Sequence, residues 1–280
     1  MKTYLAIGAV IIALLYSAFF ATVEPEKEPG TLVRLDDLNS ELFRVGVPLG
    51  GKIMTVGEAQ FPKARVCYFN NPASAYDAII NRKADAFLFC SHSLDYADIR
   101  HEDLTVLPGC LDRVDIAMAF NPQRGALRAE VNRFIADFKN DGTYQSMYKR
   151  WFKTRKPVSM PQIDEPVNPT RTIRVGTCSQ VAPLCFRAED GELTGFDMEL
   201  LRRLALRLNA RIDLHDMALP EMFRALESGE IDMALAGLDK DESRSGRVIY
   251  SRSYIDSYMV AIVHSELVKD NARKHPPVVR

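Results

Sequence analysis

Prolines at 157, 161, 166 and 169 crowd the seventeen residues from 154 to 170. Proline fixes its own φ, lacks a backbone N–H and pushes the residue before it away from helix, so this stretch excludes regular structure and predicts a stiff linker. It divides the chain into two halves with one pattern. Before it, 43–49, 64–69, 84–89 and 114–120 read as strands, and 74–81 as a short helix with Ala75, Ala78 and Ile79 as its apolar stripe. After it, 173–177, 211–215, 232–236 and 258–263 read as strands, with helices over 195–208 and 220–226. Strands alternating with short helices predict α/β layered units.

Just ahead of the linker the period becomes helical. Leu127, Val131, Phe134, Ile135 and Phe138 fall on one face. Asn140-Asp141-Gly142 stops that helix, with Gly142 free to take the left-handed cap. A second helix carries Tyr144, Met147, Tyr148 and Trp151.

At the amino end, residues 4–23 form a 20-residue run without a charge behind Lys2, long enough to span a bilayer as a helix. Cleavage after Ala21 would put Phe19 where a signal peptidase wants a small residue, which favours an uncleaved anchor over a cleaved signal peptide. Lys2 on one side and Glu24, Glu26 and Glu28 on the other fit an N-inside orientation. Either way the body of the chain is expected on the periplasmic side of the inner membrane.

Lys plus Arg number 36 against 37 Asp plus Glu, so no basic field points to nucleic acid. Five cysteines in 280 residues are too few for a disulfide scaffold, and an odd count leaves at least one thiol unpaired. Cys178 and Cys185 flank Pro183 and are open to either a bridge or two thiols. Cys67 and Cys90 read as buried thiols. Cys90-Ser-His92 has no second ligand pair at zinc spacing. There is no nucleophile elbow, phosphate loop or metal-binding histidine pair, so neither catalysis nor a metal or other cofactor is expected.

The second half carries Arg174-Val-Gly-Thr177, Asp190-Gly-Glu-Leu-Thr-Gly-Phe-Asp197, Leu226-Glu-Ser-Gly-Glu-Ile-Asp-Met233, Ala236-Gly237 with Arg244 seven residues later, and Tyr250-Ser-Arg-Ser-Tyr254. Together these resemble the first lobe of the extracellular solute-binding proteins of the polar amino acid type, the two-lobed Venus flytrap receptors of ABC importers. The first half resembles the second lobe of that family. Its matching pieces are Leu35-Asp-Asp-Leu38, Val45-Gly-Val-Pro-Leu-Gly-Gly51, Ala75-Tyr-Asp-Ala78, Lys83-Ala-Asp-Ala86, Val131-Asn132, Asp141-Gly-Thr-Tyr144 and Lys149-Arg-Trp-Phe152.

The resemblance implies a type II flytrap fold with its lobes in circularly permuted order. Residues 1–30 would be anchor or signal and spacer, 31–126 the family's lobe two, and 127–153 closing helices packed on lobe one. The linker, 154–170, would lead to lobe one over 171–264 and a tail over 265–280. One covalent crossing between lobes, near 114–120, is expected to survive. A piece of a tandem array, and a swapped dimer, are the competing arrangements.

The resemblance also implies a ligand held between the lobes, an amino acid or related small carboxylate, and an ABC permease as partner. Arg244 falls where an Arg forks onto the ligand's carboxylate, a task that suits its planar donors; a solvated Arg in the charged run 239–247 is the alternative. Gly237 belongs to the same loop. Gly50 and Gly51 match a glycine turn whose N–H groups face the ligand, with Lys52 beside them as a positive charge. Four positions depart from the pattern. Asp239 stands where a Thr or Ser assists, and would repel an anion unless paired with Arg244 or Lys240. Cys90 stands where an Asp takes the ammonium, Cys178 where a polar residue contacts the amine, and Leu219, like Val181, where an aromatic is usual. A flytrap that has lost its ligand and serves as a scaffold or regulatory module is therefore the second expectation.

Overall fold

The computed structural model describes residues 28, 31–49, 51–154, 158–241 and 244–269. The expected anchor, the tail beyond 269 and Gly50 lie outside them. Among the described residues no helix is long and apolar enough to cross a membrane.

Two lobes are present, each built on a sheet. The outer lobe uses both ends of the described chain. Its strands are β1 (Arg44–Pro48), β2 (Arg65–Phe69), β3 (Ala86–Cys90), β4 (Leu104–Val106), β5 (Arg113–Ile116) and β14 (Ile255–His264), and its helices α1 (Gly51–Gln60), α2 (Pro72–Ile80) and α3 (Ser91–Arg100). The sheet order is β2-β1-β3-β14-β4, with β5 paired to the first half of β14. The inner lobe has β6 (Ala119–Phe120), β7 (Arg171–Thr177), β11 (Ala210–Asp216), β12 (Met233–Ala234) and β13 (Ile249–Tyr250), in the order β11-β7-β12-β6-β13. A small antiparallel sheet of β8 (Gln180–Val181), β9 (Cys185–Arg187) and β10 (Leu193–Thr194) precedes α6 (Phe196–Leu208), and α7 (Leu219–Ser228) follows β11.

Both lobes use one device to seat the first parallel strand. The Arg44 backbone N–H donates to Asp85 Oδ2 at 2.7 Å and its Nε to the same oxygen at 3.1 Å. The Arg174 N–H donates to Asp232 Oδ2 at 2.9 Å and its Nε at 3.2 Å. Each buried carboxylate thus takes a backbone donor and guanidinium donors together, which offsets the cost of burying it.

The predicted closing helices are α4 (Gly125–Asn140) and α5 (Thr143–Phe152), and the stripe Leu127, Val131, Phe134, Ile135 and Phe138 is buried. Gly142 sits between them at φ +86°. They pack on α6 through Phe196, which meets Phe138, Tyr144 and Phe152. Beside it the fully buried Glu199 accepts from Arg150 at 2.8 and 2.7 Å, Arg203 Nη2 at 2.7 Å and Trp151 Nε1 at 2.7 Å. Residues 158–170 hold no helix or strand. Val158 and Met160 pack against the hydrophobic core, and the Thr170 N–H donates to Asn209 O at 3.0 Å.

The chain crosses between lobes twice, at 116–119 and 250–255, where one crossing was expected. Read from sequence, 258–263 follows Tyr254 into the second half's own sheet; in the structure it is part of β14 and lies between β3 and β4 of the outer lobe. An apolar run such as Met259–Val263 demands burial but does not name its sheet. The crossings are laced together: Ser251 N–H to Met118 O at 2.9 Å, Met118 N–H to Ser251 Oγ at 3.0 Å, and Tyr254 N–H to Ile116 O at 2.9 Å. The ends of the body also meet. Leu32 bridges Val268 in parallel, its N–H reaching Leu267 O at 2.7 Å.

Two helices escaped sequence reading, α1 and α3. Gly57 sits mid-α1 because a Cβ there would come within 2.8 Å of Leu88 and Val47. α1 begins at Gly51, so the expected glycine turn is a helix start, with Gly51 at φ +79°. All five cysteines are free, including Cys178 and Cys185.

Candidate functional site

The loop after β12 lies at the lobe junction. Gly237 takes φ +63°, and a Cβ there would come within 2.4 Å of Leu184, so the position needs glycine. Its N–H donates to Asp197 Oδ2 at 3.2 Å, and the Tyr254 hydroxyl donates to Asp197 Oδ1 at 2.9 Å. Asp197 stands in the first turn of α6, fully buried; burial pushes its carboxyl up to about 7 against the lowering effect of those two bonds. Asp197 and Tyr254 were inside the quoted motifs, but only the fold shows that they meet.

The next residues are stitched to the first crossing. The Ala117 N–H donates to Leu238 O at 2.9 Å, Asp239 bridges Ile116, and the Lys240 N–H donates to Asp115 O at 3.2 Å. Asp239 Oδ2 is buried and accepts no hydrogen bond. Burial pushes this carboxyl up to about 6; Lys52 pulls it down while Asp115 and Asp241 push it up. The cation that bears on Asp239 is therefore Lys52 of the outer lobe. Lys52, the second residue of α1, reaches Asp112 at 2.8 Å and the Arg113 carbonyl at 3.0 Å.

Arg244 pairs with Asp241, Nε to Oδ2 at 3.3 Å, and its guanidinium lies 3.9 Å from the Phe223 ring centroid. The Arg244 side chain is 31% exposed. The Tyr250 hydroxyl lies among Asp241, Arg244 and Asp239. Phe223 stands one turn after Leu219 on α7, and Leu219 is exposed. Phe223 was not singled out from sequence, since a ring platform for an arginine has no spacing signature, and Tyr250 stood only inside a quoted motif.

Cys90 ends β3, opposite Met259 of β14, and is buried; burial raises its thiol so that it stays neutral, with Asp239 as its charged neighbour. Cys178 follows β7, buried and likewise raised, beside Asp216. The structure thus brings Gly237, Asp239, Arg244, Lys52 and Cys90 around the lobe junction. Gly51 begins α1, the helix that carries Lys52, and Leu219 is exposed at the start of α7, whereas Cys178 lies beside Asp216 and Cys185.

The lobes also touch away from this loop. His92 of α3 meets Phe152 of α5 edge-on, ring centroids 5.4 Å apart, and bonds Ser257 Oγ through Nδ1 at 2.9 Å. Lys153 pairs with Asp95, and Lys139 with Asp256 at 3.0 Å.

The family model of bacterial extracellular solute-binding proteins, family 3, matches residues 32–154 and 173–273. A probable ABC transporter extracellular-binding protein of Bacillus subtilis, YckB, is 30% identical over 97 residues, covering 34% of this chain and 34% of that one. Cyclohexadienyl dehydratase of Pseudomonas aeruginosa is 28% identical over 83 residues, 30% of this chain and 31% of that one. The chain spans about a third of the length of these curated relatives. Among solved structures, an ancestral arginine-binding protein bound to glutamine is 36% identical over 27% of this chain and 34% of that one, with a TM-score of 0.27.

Proposed function

The chain belongs to the bacterial extracellular solute-binding proteins, family 3, and on that premise we propose that it binds an amino acid or related small carboxylate between its lobes, outside the cytoplasm. The observation that carries this reading is the bracing of Arg244. Phe223 supports one face of the guanidinium and Asp241 one edge, beside the junction of the lobes. A planar cation held in this way keeps donors available for a carboxylate while losing little side-chain entropy on binding. Gly237 is the backbone turn of the same loop, and Lys52 near Gly51 adds a second positive charge from the opposite lobe. Cys178 and Leu219 would line the rest of the cleft, with Leu219 and Val181 giving the ligand's side chain an aliphatic cover.

Ligand would draw the lobes together about the two laced crossings, the hinge closure of a two-lobed receptor. Delivery to an ABC permease or sensing would follow, from the periplasmic side of the inner membrane, with 4–23 as tether or signal. We read the chain as a binder and not an enzyme. We also read its lobe order as a circular permutation. Support comes from Leu32 and Val268, which are bridged as if once continuous, and from the proline stretch, which joins what would be the older ends.

Thermal denaturation of the full chain against the twenty standard L-amino acids, L-cystine and small dicarboxylates tests the reading. A true ligand at about 100 times its dissociation constant adds about 2.7 kcal/mol to stability. Absence of any shift across the set would replace the receptor by the ligand-free scaffold.

A further inference from the structure

We propose that two copies of this chain pair edge to edge through β11, joining their inner-lobe sheets into one. The surface lies at the sheet edge away from the lobe crossings, and the proposal is independent of what the cleft binds.

β11 is the longest edge strand among the described residues, and no strand of the chain lies on its outer side. An unpaired edge is a template for another strand. The direction of its backbone groups follows from the bonds around β7. Arg174 O and Gly176 O accept from the N–H groups of Asp232 and Leu235 on the β12 side, whereas Thr177 O accepts from the Met217 N–H at 2.9 Å on the β11 side. The N–H and C=O of successive residues in a strand point to alternate sides. Arg211, Asp213 and His215 therefore bond inward to β7, and the N–H and C=O of Ala210, Ile212 and Leu214 face outward.

The side chains make this edge complementary to itself. Arg211 and Asp213 flank Ile212, and both are exposed. An antiparallel pairing with its two-fold axis at Ile212 sets Ile212 against its own copy and Ala210 against Leu214, in positions that exchange hydrogen bonds. The same register sets Arg211 opposite Asp213 of the partner subunit, twice, in positions without ladder bonds, where side chains come closest. Moving the axis to Asp213 would oppose two aspartates, and moving it to Leu214 would set Ile212 against Asp216. Asp213 has His215 of its own strand at 3.3 Å, and a carboxylate accepts more than one donor.

Charges on an edge strand ordinarily ward off a second strand. Here the two signs stand symmetrically about a residue whose backbone faces outward, so they attract a copy. Leu214 and Leu206 of α6, the helix packed on β11, are exposed apolar residues beside this edge. The other long free edge, β2, lacks the device. Its outward residues are Val66 and Tyr68, and no acid stands among Arg65, Cys67 and Phe69 to answer Arg65. The crossings leave the inner sheet at β6 and β13, the end opposite β11, so pairing leaves the outer lobes free to move.

The test follows the full chain in detergent solution by sedimentation velocity. Wild type is expected to be a dimer at about 100 μM that dissociates on dilution. Arg211→Asp and Asp213→Arg each set like charges opposite in both pairs, and each should weaken the dimer about tenfold or more, while the double reversal should return it to within about threefold of wild type. Hydrogen exchange of the wild type needs no variant. The N–H groups of Ile212 and Leu214 should be protected in concentrated solution and exchange freely on dilution. A wild type that stays monomeric would overturn the proposal. So would a dimer unmoved by the single reversals, as a swapped or anchor-held pair would be, a double reversal that rescues nothing, or exchange at Ile212 and Leu214 that ignores concentration.

Discussion

The Tyr254 hydroxyl donates to Asp197 across 2.9 Å, joining the second lobe crossing to the first turn of α6, and the other oxygen of that carboxylate takes the Gly237 N–H. One buried acid thus ties the hinge to the loop that carries Asp239 and Arg244. Tyr254→Phe removes a donor and leaves the carboxylate partly unsatisfied. The expected loss is about 1–3 kcal/mol in urea denaturation, and an unchanged midpoint would contradict the tie.

Asp197 and His92 titrate with opposite sign over one window. Burial raises the Asp197 carboxyl to about 7 from 3.8. Between about pH 4 and 7 the folded chain therefore keeps a proton that the unfolded chain has lost, and this group makes stability fall as pH rises. Burial lowers the His92 imidazole to about 3 from 6.5, so the unfolded chain binds the extra proton and stability falls as pH drops. Subtracting wild-type from variant stability, the Asp197→Asn curve should fall toward acid and the His92→Gln curve should rise. Parallel curves would refute both burial arguments.

Glu199 gathers Arg150, Arg203 and Trp151 and so holds α5 to α6. Glu199→Ala should cost about 3 kcal/mol, the low end for a broken buried pair, because both arginines are 32% exposed and can turn to water. Chemical denaturation followed by the fluorescence of Trp151, the one tryptophan, measures it directly.

If the lobe order is permuted, the body should tolerate being written the other way. A chain in which 269 is joined to 31 through a short Gly/Ser link and opened within 158–165 should fold to the parent's own assembly state. Its stability should lie within about 2 kcal/mol of the parent, since closure entropy changes slowly with loop length. A rejoined chain that only aggregates, or pairs more than the parent, would favour the swapped arrangement.

Much of this was legible because it was local. The prolines marked the stretch without helix or strand, and the helical stripe from Leu127 to Phe138 marked α4. What escaped was non-local or compensated. α1 was hidden by Thr55, Val56 and Gly57, poor helix formers, of which Gly57 is kept there by the close approach of Val47 and Leu88. The second crossing was hidden because strand pairing, not composition, decides which sheet takes β14. The partner of Arg244 was hidden because Asp239 and Asp241 are equivalent as sequence, and backbone direction alone sends Asp241 to Arg244 and Asp239 toward Lys52.

Calorimetric titration of the best amino acid from the thermal panel into wild type and Arg244→Ala most directly tests the claim that a carboxylate is clamped at the lobe junction. One site per chain in wild type, weakened about thirtyfold or more in the variant, is the predicted result, as for truncating one member of a buried charge pair. Equal affinity in the two chains would contradict it.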